Sequence, residues 1–163
     1  MEIVPIEKNF TFDNIIDNLY LGDIESATSS NLIKSKIEIV VNISNTHYNE
    51  LNNVQYYHYD IDDESDVDIS KYFDEFINIV NNNKEKNILV HCQNSVSRSV
   101  TLVLAYLISR GNTLVEAFEY LKSKRTQYTC PNRGFLKQLS EYEMNIYGSI
   151  SINPIAMFKN LRK

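Results

Sequence analysis

Apolar residues fall along this chain in short blocks whose period switches between two and 3.6, the mark of strands alternating with helices. Asn14-Ile15-Ile16 and Leu19 to Gly22 read as two short strands around a turn at Asp17-Asn18. Residues 23–36 are weakly helical. Ile37 to Ile43 is β-branched and almost continuously apolar, as a parallel strand covered on both faces should be. A polar loop over 44–53 leads to another strand from Val54 to Tyr59. Tyr72, Phe73, Phe76, Ile77 and Val80 then recur at helical spacing, which predicts a helix from an N-cap at Asp68 to the Asn81-Asn82-Asn83 run. Asn87 to Val90 is a short buried strand, and Val100 to Ile108 a core helix that stops at Arg110-Gly111.

Thr113 and Glu116 form a capping box that opens a helix running to about Arg125, with Ala117, Tyr120 and Leu121 inward. Pro131-Asn132 starts a last core helix carrying Phe135, Leu139, Tyr142 and Ile146. These elements predict an α/β fold: a mainly parallel central sheet flanked by helices on both faces, with the site at the C-terminal strand ends. One domain is expected over residues 11–148, with a lead-in at 1–10 and a tail at 149–163. In the tail, Ile155, Phe158 and Leu161 repeat at helical spacing among basic residues. That segment should pack on the domain or stay disordered; the sharper alternative is a docking or membrane-surface helix.

At 163 residues the chain can bury a sizeable core. Its two cysteines, Cys92 and Cys130, argue against a disulfide framework and for a reducing, cytoplasmic setting. Cys130 is expected to be a partly buried structural thiol. No apolar run is long enough to span a bilayer, and Met1 to Pro5 lacks the pattern of a signal peptide. A formal net charge of -5 speaks against nucleic acid as a partner.

The chemistry centres on His91-Cys92-Gln93-Asn94-Ser95-Val96-Ser97-Arg98-Ser99. The cysteine stands where a buried strand ends and the arginine where a helix begins. A strand, a tight loop and a helix N-terminus make an anion site, because loop amides converge there and the helix dipole adds positive charge. Thiols so placed fall from about 8.5 toward roughly 3.5–7.5 and become nucleophilic thiolates. Arg98 can hold two phosphate oxygens in a fork while Cys92 attacks phosphorus.

This stretch resembles the signature of cysteine-based protein phosphatases: His-Cys, five residues, Arg, then Ser or Thr. Ser97-Arg98-Ser99 is the form usual in small stand-alone dual-specificity phosphatases. Asn18-Leu19-Tyr20-Leu21-Gly22-Asp23 resembles their opening strand, and Pro131 to Leu139 their closing helix, so the resemblance covers roughly residues 14–147. It implies hydrolysis of phosphotyrosine and phosphoserine or phosphothreonine through a phosphocysteine. It gives Cys92 as nucleophile, Arg98 and the amides of 93–98 as phosphate ligands, and Ser99 as hydrogen-bond donor to the cysteine sulfur. His91 would orient the loop. The family's general acid lies six residues before the apolar residue opening the next helix; counting back from Ile69 gives Asp63, with Asp62 the second candidate in a loop crowded with acids.

Ser95 departs from the family, which carries Gly there. If the loop needs a positive φ at that point, a side chain costs about 1–2 kcal/mol and can tilt a phosphate-binding amide. The competing expectation is therefore a phosphatase-like module that captures phosphoproteins with little turnover. The neutral residues Gln93, Asn94, Ser95, Val96 and Ser97 argue against inositol lipids, and the acidic 60–68 loop against an RNA end. Lys124, Arg125 and Arg133 could meet a second phosphate or be solvated surface charge. No cofactor and no metal are expected, the three histidines being scattered in sequence. The expected partners are a phosphorylated protein and phosphate- or vanadate-like anions, with the chain a monomer or weak homodimer.

Overall fold

The computed structural model of the chain describes residues 11–162, so the lead-in expected over 1–10 lies outside the described residues. Strands β1 (Phe12–Ile16), β2 (Leu19–Gly22), β3 (Ile37–Asn42), β4 (Gln55–His58) and β5 (Asn87–His91) form one sheet in the order β1-β2-β5-β3-β4. β1 folds back antiparallel to β2 through a turn with Asp17 at φ 48°; the other pairings are parallel.

Alternation along the central strands separates two cores. Leu19, Leu21, Ile39, Val41, Ile88 and Val90 point to one side, and Val40 and Leu89 to the other. The larger core lies under α2 (Phe73–Asn82), α3 (Arg98–Ser109), α4 (Leu114–Lys124) and α5 (Arg133–Tyr147). The smaller is closed by α1 (Ser29–Lys34) through Leu32, with Tyr48, Leu51 and Tyr56 packed beside it. α3 is buried from Arg98 to Ile108, and its N-terminus stands against the end of β5. Tyr106, Phe73, Phe76 and Phe135 are the largest side chains fully enclosed, each contributing roughly 1.5–3 kcal/mol by burial.

Two expectations change on contact with tertiary structure. Asp68 does not cap α2: its Oδ1 accepts from Ser70 Oγ (2.6 Å), while the amides of Ile69 and Ser70 donate to Gln138 Oε1 of α5 (2.9 and 3.0 Å). A 3-10 turn, Ser70–Tyr72, then leads into α2. Ile146 is not a core residue; it is 43% exposed, because the buried stripe of α5 runs through Phe135, Leu136 and Leu139 to Ser140 and Glu143. Glu143 is buried because its carboxylate accepts from the amides of Leu114 (2.6 Å) and Ser151 (2.8 Å). The tail takes the packed alternative. Its helix α6 (Pro154–Leu161), capped by Asn153, buries Met157 in the larger core, and Tyr128 Oη donates to the Leu161 carbonyl (2.6 Å).

Candidate active site

Cys92 follows β5 directly and is 2% exposed. The loop after it is turned inside out relative to an ordinary turn. Donors from outside it take four successive carbonyls: Ile24 N on Gln93 O (3.1 Å), Gln127 Nε2 on Asn94 O (2.8 Å), Arg125 Nη2 on Ser95 O (2.6 Å) and Cys130 N on Val96 O (3.0 Å). Among the described residues, the N–H groups of 93–97 donate to nothing. Carbonyls held outward leave amides facing inward, which is the geometry of an oxyanion cradle. Ser99, in the first turn of α3, places Oγ 3.1 Å from Cys92 Sγ. The thiol thus sits at the convergence of a helix N-terminus and a ring of free donors.

Arg98, the first residue of α3, is buried and anchored through one nitrogen only. Nη1 donates to Asn45 Oδ1 (2.7 Å) and to the Ile61 carbonyl (2.8 Å). Nε and Nη2 have no protein acceptor among the described residues, which leaves a planar pair of donors for two phosphate oxygens. The two candidate acids are both exposed and reach the loop by different routes. Asp62 accepts from Asn45 Nδ2, so it connects to Arg98. Asp63 accepts from Asn132 Nδ2 (2.9 Å), and the Asn132 amide donates to Ser97 Oγ (2.9 Å).

The N-terminal turns of α5 explain why its sequence looks as it does. Asn132 caps the helix through Oδ1 on the Phe135 amide (2.9 Å) while its Nδ2 holds Asp63. Gly134 lies against Ser65 so closely that an added Cβ would stand 1.9 Å from the Ser65 carbonyl oxygen. Gln138 accepts from the Ile69 and Ser70 amides and donates to the Val67 carbonyl (2.9 Å). One helix end therefore seats the acid-bearing loop from residue 63 to residue 70.

His91 is fully buried, and its two ring nitrogens are both engaged. Nδ1 donates to the Cys92 carbonyl (3.0 Å), which makes Nε2 the acceptor for Tyr48 Oη (2.7 Å). Burial pulls the imidazole down to about 4, so it is neutral at neutral pH and braces the loop as a fixed hydrogen-bonding strut.

Ser95 adopts φ 60°, the left-handed conformation that the family's glycine would take without strain. Its side chain is not idle. Ser95 Oγ meets Arg125 Nη1 at 2.8 Å, and Arg125 Nε lies 3.6 Å from Asp13 Oδ2. The Arg125 side chain is 1% exposed, so it is neither solvated surface charge nor available to a second phosphate. Burial lowers its affinity for a proton, and Asp13 opposes that effect. Arg133 and Lys124 remain exposed.

The structure brings together Cys92, Arg98, Ser99 and His91, with Gln93, Asn94, Ser95, Val96 and Ser97 as the loop and Asp62 and Asp63 on a neighbouring one. Sequence reasoning missed Asn45, Tyr48, Asn132 and Gln138 as parts of this constellation, and gave Arg125 a different role from the one it has. Only Asn132 and Gln138 carried a signal, their place in the closing-helix pattern. The histidines are not all scattered: His47 and His58 come together with Asp60.

The chain is similar to known proteins over most of its length. The family model for the dual specificity phosphatase catalytic domain matches residues 19–145. Dual specificity protein phosphatase 1 of Arabidopsis thaliana is 32% identical over 155 residues, covering 90% of this chain and 78% of that protein. Among solved structures, the human tyrosine phosphatase-like serine/threonine/tyrosine-interacting protein superposes with a TM-score of 0.78 at 29% identity, over 85% of this chain and 98% of that one. DUSP15 superposes at 0.75 and 27% identity, over 93% and 94%. Among the described residues no helix is long and apolar enough to cross a membrane. The chain belongs to the dual specificity phosphatase catalytic domain family.

Proposed function

We propose that this chain hydrolyses phosphotyrosine and phosphoserine or phosphothreonine in protein substrates through a phosphocysteine intermediate. The observation that carries this is the cradle itself: four loop carbonyls held outward, amides free inward, and an Arg98 with two unpartnered donors beside Cys92. The Cys92 thiolate attacks phosphorus, an S–P bond forms, and the P–O bond to the side chain of the substrate breaks. Asp63 gives its proton to the departing oxygen. Arg98 and the loop amides take up the charge on the equatorial oxygens. Water then attacks phosphorus, Asp63 accepts its proton, and the S–P bond breaks to return the thiolate, with Ser99 donating to the sulfur as it leaves. No step calls for a metal.

Gln93 and Asn94 are exposed and uncharged at the rim, which supports a phosphoprotein over an inositol polyphosphate or nucleic-acid end. The alternative of a capture module rests on Ser95 distorting the loop. The Arg125 contacts argue for turnover, since they hold Ser95 in the conformation a glycine would adopt. The test is hydrolysis of a small aryl phosphate across about pH 5–8, wild type beside Cys92→Ser. Turnover that disappears in the variant and is blocked by vanadate is the expected result. Vanadate binding without turnover in the wild type would establish the capture module instead.

A further inference from the structure

His47, in the loop after β3, His58, the last residue of β4, and Asp60 just beyond it each offer a donor atom within 4.8 Å of the other two. His47 Nε2 lies 3.4 Å from Asp60 Oδ2, and the two imidazoles meet edge to face with centroids 4.3 Å apart. We infer that these three side chains form a binding site for a divalent transition-metal ion of the zinc class. Tetrahedral zinc with nitrogen and oxygen ligands near 2.0–2.2 Å places neighbouring donor atoms roughly 3.4 Å apart. The His47–Asp60 pair already has that spacing. The third donor stands within 4.8 Å of the other two, so closing the set takes a movement of up to roughly 1.4 Å, which the exposed side chains of His47 and Asp60 can make.

His58 is prepared for the role. Its Nε2–H donates to the Ser44 carbonyl at 2.8 Å, which fixes the tautomer and leaves the Nδ1 lone pair free. A ring N–H held by a backbone carbonyl is the arrangement that orients metal-bound histidines and raises their basicity. Two imidazoles and one carboxylate select zinc, copper, nickel or cobalt over magnesium or calcium, which prefer an all-oxygen shell. The side chains of His47 and Asp60 are 69% and 59% exposed, so an ion can enter without opening the fold and keeps at least one coordination position for water.

The position gives such a site a reach into the candidate active centre. The chain neighbours of His47 are Asn45, Thr46 and Tyr48, which contact Arg98, Gln93 and His91 respectively. Asp60 lies three residues before Asp63 in the same loop. An ion held by His47, His58 and Asp60 would therefore cross-link the loop that supports Arg98 to the segment that carries the candidate acids.

The test uses the full chain with Cys92→Ser and Cys130→Ser, so that no thiolate competes for the ion. Cobalt titration followed by its visible spectrum, and zinc by equilibrium dialysis, should show one ion per chain with no thiolate charge-transfer band. Thermal unfolding should shift upward with added zinc, as for any ligand that binds only the folded state. Adding His47→Ala or, separately, Asp60→Asn should weaken binding about tenfold or more and remove the shift. Both side chains are exposed, so the fold should survive either change. Absence of stoichiometric binding, or binding that His47→Ala and Asp60→Asn leave unchanged, overturns the site.

Discussion

Replacing Ser95 by Ala and by Gly separates two effects that oppose each other at one buried position. Ser95 is inaccessible to solvent and sits at φ 60°. Alanine keeps the Cβ, so the left-handed strain of about 1–2 kcal/mol stays. It removes the oxygen that faces Arg125 Nη1 at 2.8 Å, and a buried hydrogen bond to a charged group is worth about 1.5–3 kcal/mol. Glycine loses the same oxygen but relieves the strain, offset by roughly 0.5–1 kcal/mol of extra freedom in the unfolded chain. Ser95→Ala should therefore destabilise by about 1.5–3 kcal/mol, and Ser95→Gly by about 0.5–1 kcal/mol less than that. Urea unfolding of the three proteins at neutral pH reads both differences, and each kcal/mol should move Tm by roughly 2–4 °C in a domain of this size. Turnover in Ser95→Gly should stay within about threefold of wild type, because Arg125 Nη2 still holds the residue-95 carbonyl at 2.6 Å. An alanine variant as stable as the glycine variant would refute the strain. Two variants indistinguishable from wild type would refute the arginine contact.

Gly134→Ala should lower kcat by about a hundredfold with vanadate affinity little changed, since the new methyl collides with Ser65 and displaces the acid loop rather than the cradle; an unchanged kcat would mean the loop's seat does not matter. Asp63→Asn should cost about 10²–10⁴ in kcat and Asp62→Asn much less, measured on an alkyl phosphate, whose leaving group needs a proton; equal losses, or the reverse order, would move the acid to Asp62. His91 holds its proton only below about 4 in the folded chain against an ordinary 6.5, so unfolding takes up a proton between those values and stability falls as pH drops through them. That gap corresponds to about 3 kcal/mol, and urea unfolding from neutral pH to about pH 4 should show it in wild type and not in His91→Gln; equal slopes would refute the neutral strut.

What could be read in the sequence was local. The β-branched run Ile37 to Asn42 became a strand buried on both faces, and the Cys92-to-Arg98 spacing became the loop between β5 and α3. Thr113 caps α4 through the Glu116 amide, as its spacing requires. What could not be read depends on partners far along the chain. The donor that fixes Ser95 is 30 residues away, and the carboxamide that takes the Ile69 amide is 69 residues from it. Arg125 looked like surface charge because it follows Lys122 and Lys124 at a helix end; Asp13 and Ser95 are what make its burial tolerable. His47 and His58 looked unrelated because β4 and its preceding loop must fold before they meet. Local pattern set the elements, and long-range polar contacts set the site.

The most direct test of a phosphocysteine mechanism is rapid acid quench of the chain with a radiolabelled phosphotyrosine peptide. Label should appear covalently on Cys92 in the wild type and be absent in Cys92→Ser. Turnover without any trapped label, or label that persists in Cys92→Ser, would contradict the account.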